Sequence, residues 1–120
     1  MFSLDGGVKY WLYNKPVDMR KSFNGLSGIV TNAMCASLGS GDVYIFMNAS
    51  RNMMKMLRRE EGGLVLYALR LDMGRMKPAI TSSDEDVISS GISYEDIIKM
   101  VRYALESPYV RRIRMLSKSL

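Results

Sequence analysis

The stretch KPVDMRKSFNGL, residues 15–26, sets Arg20 and Lys21 just after Asp18, where apolar spacing predicts the start of a helix. The first turn of a helix carries free N–H groups and partial positive charge, so acids and anions are favoured there. Two cations beside those N–H groups have the chemistry of a phosphate site. A solvated cation pair, partly neutralised by Asp18, accounts for the same residues. A second group lies in NASRNMMKMLRR, residues 48–59, with Arg51 in a turn and Lys55 and Arg58 on a following strand. Strand alternation gives Lys55, Leu57 and Arg59 one face and Met54, Met56 and Arg58 the other. Such cations neutralise DNA phosphates and release counterions, and they also blunt exposed sheet edges. The third group is the C-terminal YVRRIRMLSKSL, with Arg111, Arg112, Arg114 and Lys118. It reads as a nucleic-acid arm or as a soluble terminus, and its interleaved Tyr109, Val110, Ile113 and Leu116 suit docking.

Acid–base and metal chemistry are poorly supplied. The chain has no histidine, which removes the commonest proton shuttle and metal ligand. Cys35 is the single cysteine, so no internal disulfide forms and a reducing cytoplasm is expected. Glu60 and Glu61 fall in a hairpin turn and Asp84, Glu85 and Asp86 in a polar loop. Nothing gathers them in the way magnesium-assisted phosphoryl transfer requires. No catalytic residue, metal site or cofactor is expected.

Charge divides the chain into blocks. The net charge of +5 arises from a basic body over 1–80 (+5), an acidic segment over 81–106 (−4) and a basic tail over 107–120 (+4). A polyanionic partner fits this balance. The longest uninterrupted apolar run, 64–69, is far below the roughly 20 residues of a membrane span. The first residues lack the basic-then-apolar pattern of a secretory signal, and no membrane partner is expected.

These groups need elements to position them. VKYWLY, 8–13, alternates as a strand. Met19, Phe23, Leu26, Val30 and Met34 recur at helical spacing, predicting a helix over 19–38 capped by Asp18 and weakened by Gly25 and Gly28. DVYIFMN, 42–48, is apolar on both faces, the mark of a central strand. Residues 53–71 read as two strands around a turn at 60–63, the second buried on both sides, and a short edge strand is expected over 75–80. Residues 81–91 read as a solvated loop or ragged strand. A second helix follows Ser93, with Asp96 completing a capping box and Ile92 and Ile97 placed as a hydrophobic staple. The expected fold is α+β: a small, mainly antiparallel sheet of about 4–5 strands with two main helices. One domain is expected over 1–107, followed by a basic C-terminal tail over 108–120. The eleven methionines read mainly as adaptable core filler.

Three segments in this order, KPVDMRKSFNGLSGIV at 15–30, SGDVYIFMN at 40–48 and REEGGLVLYALRLDMGRM at 59–76, carry a resemblance. The chain resembles the TnpB-type accessory protein, the second open-reading-frame product, of the insertion-sequence-sixty-six transposon family. The likeness runs to about Met76, and ISYEDIIKMV, 92–101, resembles the family's closing helix. It implies a non-catalytic protein that assists a separate transposase. Its partners would be DNA, the cognate transposase and other element-encoded proteins. Asp18, Met19, Arg20, Lys21, Phe23, Gly25 and Leu26 match the family signature. Arg51 and Lys55 match a basic turn and strand, and Arg70 matches the arginine of the family's KRL run. The chain departs from the pattern at Ala49 and Ser50, at Leu69 and in the turn 60–63. Docking on the transposase without DNA contact is the alternative reading.

Overall fold

A computed structural model describes residues 4–77 and 87–106. Alternation in the first strand, β1 (Tyr10–Tyr13), sends Tyr10 and Leu12 to one side and Trp11 and Tyr13 to the other. The chain then crosses through α1 (Phe23–Gly28), a wider π-helical turn (Ile29–Ala33) and a short 3-10 turn (Leu38–Ser40). It returns as β2 (Val43–Met47), parallel to β1. A parallel neighbour demands such a crossover, since a tight turn cannot reverse the chain twice. Strands β3 (Met53–Glu60) and β4 (Gly63–Arg70) form a hairpin, β5 (Ser89–Ile92) pairs antiparallel with β1, and α2 (Tyr94–Glu106) follows. The sheet order is β4-β3-β2-β1-β5, with β2 central and buried along its whole length. Among the described residues only β1–β2 is a parallel pairing, so the α+β expectation of a mainly antiparallel sheet holds.

The two faces of the sheet bury separate cores. On one, Tyr10, Leu12, Val43 and Ile45 pack with Ile97, Met100 and Ala104 of α2. On the other, Tyr44, Phe46 and Leu57 pack with Leu26 and Val30 of the crossover. Met47, Met54, Met76 and Met100 are buried, as filler methionines should be.

Several expectations are corrected. The first helix begins at Phe23, not Met19, and its regular part ends at Gly28. Beyond it, Met34 N–H reaches back to Ile29 O at 2.9 Å, the wider spacing of a π turn. Gly25 and Gly28, both poor in helix propensity, lie where the regular helix is shortest. Cys35, at φ +52°, then turns the backbone left-handed and stops the run before Leu38. Phe23 is 42% exposed, so the inward face of α1 closes only from Leu26 onward. The second hairpin strand, β4, is an edge strand with only partly covered side chains, not one buried on both sides. Residues 75–77 form no strand; Met76 is instead buried, with its N–H on Arg51 O at 2.7 Å. The rest of that expected strand, including Pro78, lies outside the described residues. Residues 89–92 adopt the strand alternative for the polar segment.

Candidate nucleic-acid interface

The segment after β1 is tied to the end of β2 by Val17 N–H on Met47 O at 2.9 Å. Proline fixes the backbone before it at Pro16. Asp18 then organises a turn rather than a helix cap. Its Oδ1 accepts the Arg20 N–H at 2.9 Å, and its backbone O accepts the Lys21 N–H at 3.1 Å. Short polar side chains favour such local bonding over helix. Ser22 occupies the cap position of α1 without a side-chain cap bond.

Arg20 folds back on this turn. Its Nε reaches Oδ1 and Oδ2 of Asp18 at 3.1 and 3.0 Å, and its Nη2 reaches Oδ2 at 2.6 Å. The pair is exposed, the Arg20 side chain at 91%. The guanidinium side-chain bond, then the Arg20 backbone N–H, lowers the Asp18 carboxyl to about 2, from 3.8. Arg20 is therefore an accessible cation with an acid already beside it.

Lys55 has a different role from the one its charge suggested. It points to the α1 side of the sheet, and its Nζ donates to Met19 O and Lys21 O, each at 2.7 Å. The ammonium thus pins the 18–21 turn to β3. Lys21 is exposed, and its stem crosses Gly25: a Cβ added there would lie 3.2 Å from both Cβ and Cγ of Lys21. That close approach gives the signature glycine a physical reason.

The turn between β2 and β3 sits beside this segment. Residues 16–19 and 48–50 line an open cleft of about 380 Å³. Asn48 Oδ1 accepts the N–H groups of Asn52 and Met53, both at 3.1 Å, and its Nδ2 donates to Asn52 Oδ1 at 2.6 Å. This Asx-type bonding shapes the turn and leaves Arg51 exposed at φ +55°. Arg70, exposed, is opposite Met53 at the same end of the sheet.

The structure therefore brings Arg20, Lys21, Arg51, Lys55 and Arg70 to one end of the sheet. It separates Arg58 from them. Arg58 points to the α2 side, where its Nε donates to Gly41 O at 3.1 Å and its Nη1 lies 3.7 Å from Glu60 Oε1. Arg111, Arg112 and Arg114 lie outside the described residues. Arg59 is exposed on the Lys55 face but pairs with Leu64 beside the hairpin turn, at the opposite end of β3 from Met53 and Arg70. Sequence reasoning also missed the pinning by Lys55 and the ordering by Asn48. The Asn48–Asn52 spacing was a usable signal for the second; nothing local signalled the first, whose bonds span 34 and 36 residues. A further polar group, Tyr67 OH at 3.4 Å from both Glu60 oxygens, lies near Arg58. Burial, then the Glu60 charge, raises the Tyr67 hydroxyl above its ordinary pKa.

Among the described residues, no group of three or more His, Cys, Asp or Glu side chains could hold a metal ion, and no helix is long and apolar enough to cross a membrane. The family described as IS66 Orf2 like protein matches residues 8–96. The chain is also similar to uncharacterized protein y4jC of Sinorhizobium fredii (strain NBRC 101917 / NGR234), at 26% identity over 69 residues. That alignment covers 58% of this chain and 59% of the relative's length. No solved structure matches the chain.

Proposed function

The chain belongs to the IS66 Orf2-like family, and from that premise we propose that it is a non-catalytic accessory protein of bacterial insertion-sequence transposition, working in the cytoplasm. On this reading it contacts DNA through the basic end of its sheet and assists a separate transposase. The observation that carries the DNA contact is the pinned turn: Lys55 fixes the backbone from which exposed Arg20 and Lys21 project. Fixed cations lose less conformational freedom on meeting phosphate than cations on a loose arm. Arg51 and Arg70 extend the same surface.

The contact is nonspecific in character, because phosphates position a protein on DNA while base edges specify sequence. Affinity of about 10⁻⁴–10⁻⁶ M at physiological salt is expected, falling steeply as salt rises. A titration of the element's terminal DNA and of scrambled DNA across several salt concentrations, with and without transposase, tests this. Replacing Arg20 and Lys21 together by Glu should weaken binding to both DNAs and reduce the log–log salt slope by about 2. Unchanged affinity and slope would remove the turn from the interface.

Docking on the transposase without DNA contact is favoured by one observation: Arg20 already has Asp18, and Lys55 already has two carbonyls. Co-purification with transposase in high salt after nuclease treatment, with no DNA binding in any arm of the titration, would select that reading.

A further inference from the structure

Strand β4 forms one edge of the sheet, and among the described residues no strand pairs with its outer side. We propose that this edge pairs with β4 of a second copy of the chain, antiparallel about a two-fold axis at Leu66, joining two sheets into one. The argument starts from the backbone. Leu71 N–H donates to Asn52 O at 2.8 Å, which fixes the parity of the hairpin ladder. Backbone groups of residues 63, 65, 67 and 69 therefore face β3, and those of Leu64, Leu66, Ala68 and Arg70 face outward. The eight residues pair with β3 in unbroken register, so no bulge bends this edge away. It contains no proline and no lysine, the usual devices that keep a sheet edge from pairing.

Charge selects the second copy and its direction. Arg70 is the only charged residue of β4 and stands at one end. At the other end the strand leaves a turn carrying Glu61, exposed, with Gly62 at φ +90°. Centred on Leu66, an antiparallel copy sets each Arg70 opposite the partner's Gly62, next to Glu61 in the turn; a parallel copy would set like charges together. The pairing also places Leu64 against the partner's Ala68 on the α1 side. Val65 meets the partner's Tyr67 on the other side. An aromatic residue opposite a β-branched one is a favourable cross-strand pair. The outward groups of Leu64, Leu66 and Ala68 supply about six inter-chain hydrogen bonds. The interface repeats itself under the two-fold operation, as a closed dimer requires.

Sedimentation equilibrium of the full, nucleic-acid-free chain from micromolar to millimolar concentration tests the pairing, with circular dichroism to check folding. A dimer is expected. Ala68→Pro removes an outward N–H and leaves every β3 bond in place, so it should raise the dissociation constant by about 100-fold. Glu61→Arg or Arg70→Glu alone should weaken the dimer, and the two together in one chain should restore it. If Ala68→Pro fails to fold, the charge exchange decides alone. A monomer at all concentrations overturns the proposal. So does a dimer unaffected by folded Ala68→Pro, or a double exchange that restores nothing. A monomer whose Leu66 and Ala68 amides resist hydrogen exchange also overturns it, in favour of the chain's own residues covering the edge.

Discussion

Helix α2 starts from a closed pair: Ser93 Oγ accepts the Asp96 N–H at 3.1 Å, and Asp96 Oδ2 accepts the Ser93 N–H at 2.9 Å. Helix α1 starts after Ser22 with no side-chain cap at all, and the acid nearest to it, Asp18, is engaged with Arg20. Both stretches offer a capping residue followed by helix-forming residues. They differ in what else competes for the acid. Asp96 has backbone N–H groups within reach, with Lys99 a lesser influence on its carboxyl. Asp18 has an arginine two residues on, whose fork satisfies both carboxylate oxygens at once. A cap built from neighbours is self-contained, whereas the entry to α1 depends on a lysine from a distant strand.

The largest expected effect tests that dependence. Lys55→Met keeps the aliphatic stem and removes both donors to Met19 O and Lys21 O. Charge-assisted bonds of this kind are worth more than neutral ones, and urea unfolding should show a loss of about 2 kcal/mol. Hydrogen exchange should speed up first over 18–22, while β3 and β4 stay protected. An unchanged midpoint would mean that the turn holds itself.

The caps themselves come next. Ser93→Ala should cost about 1 kcal/mol, the usual value of a lost N-cap. Ser22→Ala should change stability by less than about 0.5 kcal/mol, since no cap bond is lost. Equal losses at the two serines would overturn the contrast between the entries.

These differences explain which parts of the molecule could be read from sequence. The α2 entry was legible because Ser93, Asp96, Ile92 and Ile97 interact within one turn, where spacing is geometry. Central β2 was legible because an apolar residue at every position leaves no face for water. The hairpin turn at 60–63 was legible from its glycines. The α1 boundary was not, because Asp18 had two local partners and the winning one, Arg20, is invisible to helix periodicity. The edge position of β4 was not, because LVLYAL looks the same on an edge as in a centre. At the basic end, residue type identified Arg20, Lys21, Arg51 and Arg70 as accessible cations. It could not separate Lys55, which bonds carbonyls, or Arg58, which bonds Gly41 O on the opposite face. Positive charge alone does not say whether a cation faces solvent or holds the chain.

The smallest effect separates the two acids. Both carboxyls are lowered, Asp18 to about 2, chiefly by the Arg20 side chain, and Asp96 chiefly by backbone N–H bonding at Ser93. For a carboxylate whose folded pKa is depressed, the stabilisation is fully present above the unfolded value and is lost as pH falls through the folded one. For Asp18 that window runs from 3.8 down to about 2. The stability difference between the chain and its Asp18→Asn variant should therefore be constant above the window and shrink as pH falls through it, and the exposure of the pair keeps it slight. Salt distinguishes the causes. Ionic screening weakens attraction between exposed charges, so NMR titration in high salt should move Asp18 back toward 3.8. Asp96, held by a reciprocal pair of short-range bonds, should move less. If both carboxyls shift equally, the Arg20 charge is not what holds Asp18, and the pinned turn presents a freer cation than its geometry implies.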